Sequence, residues 1–173
     1  KQKDGTMQDY IVGPYDETIK TNNFPVLASI VGLAYNGGTP FQAEIYFINL
    51  QGNNQVRFAV PYFDVADPRY PDFTIPVAVR GTITFNLTDY KGFVKLNRLV
   101  DFDLEKFSSQ IKDTVTKYTK SFVISCPTSY GIPVLQIERQ IVEISDLIKN
   151  RLAEQLENDF GVNLKRFDLS AIE

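Results

Sequence analysis

The densest set of side chains that could support chemistry lies in one proline-containing stretch near the middle of the chain. Asp64, Asp67 and Asp72 stand close together there, with Arg69 among them. Hard divalent cations prefer several oxygen ligands, so the cluster is a candidate metal site for a hydrolase. It lacks the regular alternation and the glycine of a calcium loop, however, and prolines interrupt it. We therefore favour the alternative, a solvated turn whose aspartates accept local backbone hydrogen bonds.

The chain has no histidine among its 173 residues and a single cysteine, Cys126. Without histidine there is no Ser-His-Asp or Cys-His catalysis, and the commonest general base and zinc ligand are missing. One cysteine excludes an internal disulfide and a multi-cysteine metal site. Cys126 falls at the predicted end of a helix, where the helix dipole disfavours a thiolate, so we expect a buried structural cysteine. We predict no catalytic residue, no cofactor and no resident metal.

Phosphate and nucleic-acid sites are also poorly supported. Lys117 and Lys120 beside Tyr118 suggest a phosphate site, but their helical spacing next to an apolar row is typical of a solvated face. Gly37-Gly38 is too short for a phosphate loop and lacks a following Lys-Ser/Thr. The net charge is -3 and no basic stripe stands out, so we expect no nucleic-acid partner.

The chain length predicts one domain with a real hydrophobic core. The chain begins at Lys1, so we expect a fragment of a longer protein, and no signal peptide is visible. The longest apolar stretch, Phe24–Tyr35, is too short to span a bilayer. We expect a short helix there whose apolar residues are buried or interfacial; these are Val26, Leu27, Ile30, Val31 and Leu33.

The middle of the chain predicts strands. Phe41–Leu50 and Gln55–Phe63 alternate in polarity around a Gly/Asn-rich turn, which indicates an antiparallel hairpin. Asp64–Asp72 is a loop by its proline chemistry. Phe73–Leu87 is a long strand in which Gly81 marks a bend.

The second half predicts helices and one last strand. Thr88-Asp89 caps a short helix through Leu96, and Asp103 caps a longer one that ends at Cys126-Pro127. That longer helix has its apolar face at Leu104, Phe107, Ile111, Val115, Tyr118 and Phe122. A third helix ends at 158–161, and a last strand covers Val162–Ile172. Segregated strands and helices favour an α+β fold, an antiparallel or mixed sheet covered on one face by helices.

The third helix carries an apolar row at near-heptad spacing that suits a partner helix. The alternative is packing on the sheet of the same domain, which we favour because one sheet face must be covered by helices. The row consists of Ile137, Ile141, Ile144, Ile148, Leu152 and Leu156.

The order of these segments resembles the stomatin/prohibitin/flotillin (SPFH, or Band 7) domain, and in detail its bacterial "virion core protein-like" subfamily. One departure is Phe58-Ala59-Val60, where many relatives carry Trp-Gly-Thr. The matching segments are Thr21–Pro25, Gly37–Asn49, Val56–Pro61, Pro76–Tyr90 and Leu164–Leu169. By this resemblance, residues 1–20 are an N-terminal lead-in and residues 21–173 form the domain.

The resemblance implies a twisted, mostly antiparallel sheet with helices on one side, self-association, and residence on a membrane. It implies no catalytic residues. We therefore expect a non-enzymatic, homo-oligomeric scaffold, cytoplasmic and peripheral to the membrane, that organises proteins at a membrane surface. Val26, Leu27, Ile30 and Val31 are the candidate membrane or interface element, with core burial as the alternative. A second hypothesis is a small-ligand or lipid-binding module with a groove between sheet and helices.

Overall fold

The computed structural model describes residues 12–13, 46–97, 99 and 101–173. The chain divides into two compact units, residues 1–47 and 48–173, and every element described below belongs to the second. The predicted helix within Phe24–Tyr35 and the first half of the predicted strand at Phe41–Leu50 lie outside the described residues.

Three antiparallel strands form the sheet of the described residues. They are β1 (Asn54–Ala66), β2 (Thr74–Asn86) and β3 (Asn163–Ile172), with β2 between the other two. Alternate side chains of β1 are buried, which is the period-2 pattern of a strand with one covered face. The predicted long strand and the predicted last strand are confirmed within one residue at each end. β1 runs three residues further than predicted, through Ala66.

Gly81, where the sequence predicts a bend, lies inside β2 at a point where the β2–β3 pairing shifts register. A Cβ atom at this position would lie 2.6 Å from the Asp168 carbonyl oxygen and 2.6 Å from the Phe58 ring. The Phe58 ring in turn stacks on Phe167, with centroids 5.6 Å apart. A glycine is therefore required because β3 and the Phe58 side chain approach the β2 backbone so closely.

The prediction of a strand over Phe41–Leu50 is wrong for the half that the structure describes, residues 46–50, which are not in a strand. The Asn49 side-chain oxygen accepts the backbone N–H groups of Gln51 and Gly52, each at 3.0 Å. A side chain that bonds its own backbone in this way competes with a strand ladder. The predicted turn after Leu50 is present, but the strand leading into it is not.

Two helix starts are confirmed at their predicted caps. Helix α1 (Tyr90–Leu96) begins at Asp89, whose carboxylate accepts the Gly92 N–H at 3.0 Å. Helix α2 (Leu104–Ser129) begins at Asp103, whose carboxylate accepts the Glu105 and Lys106 N–H groups. Such side-chain caps satisfy amides that have no partner inside the helix.

The predicted end of α2 at Cys126-Pro127 is wrong, because Pro127 lies inside the helix and is buried. Proline lacks the N–H that would donate to the carbonyl four residues earlier, and its ring crowds that carbonyl. The Cys126 carbonyl still accepts the N–H groups of Tyr130 at 3.3 Å and Ile132 at 3.0 Å. Because of these bonds and the burial of the proline ring, the helix continues to Ser129.

Helix α3 (Ile141–Phe160) follows two 3-10 turns, Val134–Gln136 and Glu138–Gln140. The observed helix therefore begins after Ile137, the first residue of the predicted apolar row, which lies between the two turns. It ends at Gly161 as predicted, with a φ of 69° and its N–H bonded to the Glu157 carbonyl. This left-handed conformation favours glycine.

The two long helices lie side by side on one face of the sheet. α2 packs mainly on β1 and α3 mainly on β3, with a core between the layers. The helices are antiparallel, because Phe107 early in α2 contacts Phe160 at the end of α3, with ring centroids 5.7 Å apart. The protein is thus α+β, an antiparallel sheet with helices on one face, as predicted. Within the described residues, no helix combines the length and the hydrophobicity that crossing a bilayer requires.

Candidate interaction surfaces

Asp67 is the one member of the predicted acidic cluster that is buried. Its carboxylate accepts the backbone N–H of Arg69 at 2.9 Å and that of Val134 at 2.9 Å. The Arg69 guanidinium donates to the same carboxylate at 3.1 Å and to the Gly131 carbonyl at 3.0 Å. Asp67 and Arg69 therefore join the β1–β2 loop to the segment between α2 and α3.

The charged form of Asp67 is stabilised by these donors. Burial alone raises the pKa of this carboxyl, but the N–H groups of Val134 and Arg69 and the Arg69 guanidinium outweigh burial and lower it below its usual value. Asp64 and Asp72 are exposed. Among the described residues, no three His, Cys, Asp or Glu side chains are grouped so that they could hold a metal ion. The predicted local backbone bonds are thus present at Asp67, and the aspartates of this loop do not converge.

Cys126 has the environment of a structural cysteine. It is a free thiol with no exposed surface, packed in the core at the end of α2. Burial raises its pKa to about 11, so the thiol is protonated at neutral pH. The prediction of a buried, unreactive cysteine is confirmed.

A shallow depression of about 680 Å³ lies beside the β1–β2 loop and is lined in part by Tyr70, Phe73 and Thr128. The Tyr70 and Phe73 rings stack with centroids 5.7 Å apart, and Phe73 is 58% exposed. This depression is not the groove between sheet and helices that the ligand-binding hypothesis requires. In the described part of the chain, that space is filled by one continuous cluster of buried side chains from both layers.

The apolar row of the third helix is buried in this domain. Ile144, Leu152 and Leu156 have no exposed surface, Ile137 and Ile148 are 1% exposed, and Ile141 is half-buried. This burial supports the core-packing alternative, and the assignment of the row to a partner helix stays a prediction. The apolar residues that do face solvent here are Leu135 and Val142, at 63% and 72% exposure.

Val26, Leu27, Ile30 and Val31, the candidate membrane or interface residues, lie outside the described residues. Their assignment stays a prediction.

The outward faces of α2 and α3 carry opposite charge. α2 holds four lysines against two acidic residues, and α3 holds five acidic residues against two basic ones. We call the exposed lysines of α2 the basic face: Lys106, Lys112, Lys117 and Lys120. We call four exposed carboxylates of α3 the acidic face: Glu143, Asp146, Glu154 and Glu157. The sequence marked several of these residues as solvated, but not that the two helices lie side by side.

A comparison with protein families matches residues 3–173 to the SPFH domain–Band 7 family. No curated protein matches the chain. The family match spans nearly the whole sequence, including all the strands and helices described above. The chain therefore belongs to the SPFH domain–Band 7 family.

Proposed function

We propose that this domain is a non-enzymatic scaffold that associates with copies of itself and organises other proteins at the cytoplasmic face of a membrane. The single observation that carries the proposal is the family match over residues 3–173. Proteins of this family are generally membrane-associated scaffolds and are generally not enzymes.

The chemistry of the described residues supports a scaffold. The buried carboxylate, Asp67, is fully engaged in holding two loops together, and the one thiol, Cys126, is buried and protonated. Neither group can act on a substrate from the solvent. What the described unit offers to the solvent is two helices of opposite charge and a few exposed apolar side chains.

Membrane association is assigned to the segment with Val26, Leu27, Ile30 and Val31, because short apolar segments of this length suit an interface better than a span. The test is flotation of the chain with vesicles that contain anionic lipid. We expect the chain to float, and we expect a variant with these four residues changed to serine to float less while it keeps its circular dichroism.

A matched control is Leu135→Ser with Val142→Ser, which removes exposed apolar side chains from the described unit. We expect the control to float like the unchanged chain. Equal flotation of all three proteins would contradict the assignment of the membrane element. Cross-linking of the chain on the vesicles tests self-association, and we expect products larger than one chain.

Within the family, we also propose that the chain belongs to the bacterial "virion core protein-like" branch. The segments Gly37–Asn49 and Pro76–Tyr90 support this placement, whereas Phe58-Ala59-Val60 departs from the branch pattern. Clustering of homologous sequences tests it, since a position among the stomatins would contradict the placement.

A further inference from the structure

The basic face of α2 has no partner within the described part of its own domain. None of Lys106, Lys112 and Lys117 forms an ion pair with a described residue. Lys120 lies over the ring of Phe63 on β1, at 5.4 Å from the centroid. This contact places Lys120 on the flank of α2 that lies over β1. Lys112 lies about two helical turns earlier in α2, so we place it on the same flank. Lys112 and Lys120 therefore lie on the β1 side of the described unit, and the exposed Asp113 is the acidic residue among the lysines of this face.

The carboxylates of the acidic face form no ion pair with a described residue either, although Lys149 lies three positions after Asp146 on the same helix. The Arg151 guanidinium lies over the rings of Phe122 and Tyr130 at the end of α2, 5.7 Å and 5.6 Å from their centroids. Arg151 is thus turned toward α2, away from the acidic face. On the other side, the Ser145 hydroxyl accepts the Leu169 N–H of β3, which places that flank of α3 over β3.

The levels of the two charged faces along the helix axes also match. Phe107 stands level with Phe160, and Phe122 with Arg151, because these pairs are in contact across the antiparallel helices. Counting along each helix at about 1.5 Å per residue, Lys112 falls within about one turn of Glu157, and Lys117 within about one turn of Glu154. Copies placed side by side in the same orientation would therefore bring opposite charges to the same level.

We propose that the basic face of α2 binds the acidic face of α3 in a second copy of this chain, with the β3 side of one copy beside the β1 side of the next. This inference rests on the proposed self-association and names the surface that performs it. Each copy carries both faces, so the contact is heterologous and repeats from copy to copy until a ring closes or a filament grows. Opposite charges at an interface guide association and fix its register.

An anionic membrane is the competing occupant of the basic face. The chain carries a net charge of -3, and α3 alone holds five acidic residues against two basic ones, so an anionic surface that attracts the lysines meets a chain of its own sign. Repulsion of the carboxylates would offset the attraction of the lysines. A second copy satisfies both faces, which is why we favour it.

The test uses two charge-reversed variants of the chain and their mixture. Variant one carries Lys112→Glu and Lys117→Glu, and variant two carries Glu154→Lys and Glu157→Lys. In each variant alone, faces of like charge meet, so the concentration for half-maximal association should rise by about tenfold or more. In an equimolar mixture, each contact between the two different variants again joins opposite charges. We expect the mixture to associate within about threefold of the unchanged chain.

A control variant carries Lys95→Glu and Arg139→Glu, which changes the net charge as much as variant one does. Both side chains are exposed, lie outside the strands and the two long helices, and form no ion pair with a described residue. We expect this variant to associate like the unchanged chain. Sedimentation velocity over a range of concentrations at low salt measures all five samples, and circular dichroism checks that each variant is folded.

The outcomes separate this inference from the proposed function. If the unchanged chain associates and both reversed variants associate equally well, or if the mixture is not restored, the inference is overturned and the scaffold stands. If the unchanged chain stays a single copy, the self-association itself fails. If variant one loses flotation on anionic vesicles while its association is unchanged, the basic face binds lipid and the inference is overturned.

Discussion

The carboxylate of Asp67 accepts the backbone N–H of Val134 at 2.9 Å, across 67 positions of sequence. This bond and the Arg69 bridge to Gly131 tie the β1–β2 loop to the segment that precedes α3. The carboxylate is buried, so the loss of its charge or of one acceptor oxygen leaves donors without partners. The contact is thus a long-range constraint on the fold made by a single side chain.

The Asp67→Asn variant should unfold several degrees below the unchanged chain at neutral pH, because its amide offers one acceptor oxygen where the carboxylate offers two. Thermal unfolding followed by circular dichroism measures this. Asp72→Asn, a change of an exposed aspartate in the same loop, is the matched control and should unfold like the unchanged chain.

The same variant tests the pH dependence of stability. Because the folded-state pKa of Asp67 is lowered, its contribution is present above the usual aspartate pKa of about 3.9 and is lost as the pH falls through the lower folded value. The unfolding temperature of the unchanged chain should therefore fall more steeply below about pH 4 than that of Asp67→Asn. Parallel curves for the two proteins would contradict the role assigned to this carboxylate.

We expect that a substitution at Thr119 can stabilise the fold. Its hydroxyl oxygen is buried in α2 and forms no hydrogen bond within the described residues. Valine has nearly the same shape, so Thr119→Val should raise the free energy of unfolding by about 1 kcal/mol. Chemical denaturation measures it. Thr114→Val is the comparison, because that hydroxyl donates to the Gln110 carbonyl at 3.0 Å. A loss of stability in Thr119→Val would mean that the hydroxyl is satisfied.

Gly81→Ala should lower the free energy of unfolding by about 1–3 kcal/mol, because the added methyl group overlaps the Asp168 carbonyl and the Phe58 ring. Gly131→Ala is the contrasting change. Gly131 has a φ of 66° and open space around its Cα, so its cost is backbone strain of about 1–2 kcal/mol without a steric clash. Replacing Phe58 with leucine should relieve part of the Gly81→Ala cost and none of the Gly131→Ala cost. Equal effects on both would contradict the close approach at Gly81.

A substitution in the buried apolar row of α3 distinguishes the core-packing hypothesis from the partner-helix hypothesis. Ile148→Ala should lower the free energy of unfolding by about 2–5 kcal/mol, since it opens a cavity between α3 and the sheet. Val142→Ala, an apolar truncation on the exposed side of the same helix, should change it by less than about 0.5 kcal/mol. An Ile148→Ala protein that keeps its stability but changes its association would revive the partner-helix hypothesis.

The sequence alone predicts the features that depend on near neighbours in the chain, and it misses those that depend on distant residues. Asp89, Asp103 and Gly161 mark helix boundaries correctly, because a cap is a bond between near neighbours in the chain. Pro127 misleads, because the buried position of its ring depends on distant parts of the chain. Periodicity likewise places Leu104 on the apolar face of α2, whereas the structure leaves it 55% exposed in the first turn.

The candidate surfaces show the same difference between local features, which the sequence predicts, and long-range features, which it does not. The sequence indicates that Lys117 and Lys120 are solvated. It does not show that Arg151, one of the two basic residues of α3, is turned toward Phe122 and away from the acidic face. Charge complementarity between the faces depends on how α2 and α3 are placed over β1 and β3, which is a property of the packed domain.

The most direct test of the central claim is the solution mass of the unchanged chain, measured by light scattering over a range of concentrations at low salt. The account predicts a mass that rises above that of one chain as the concentration increases and falls again when salt screens the charged faces. A mass equal to one chain at every concentration and at low salt would contradict self-association by this domain.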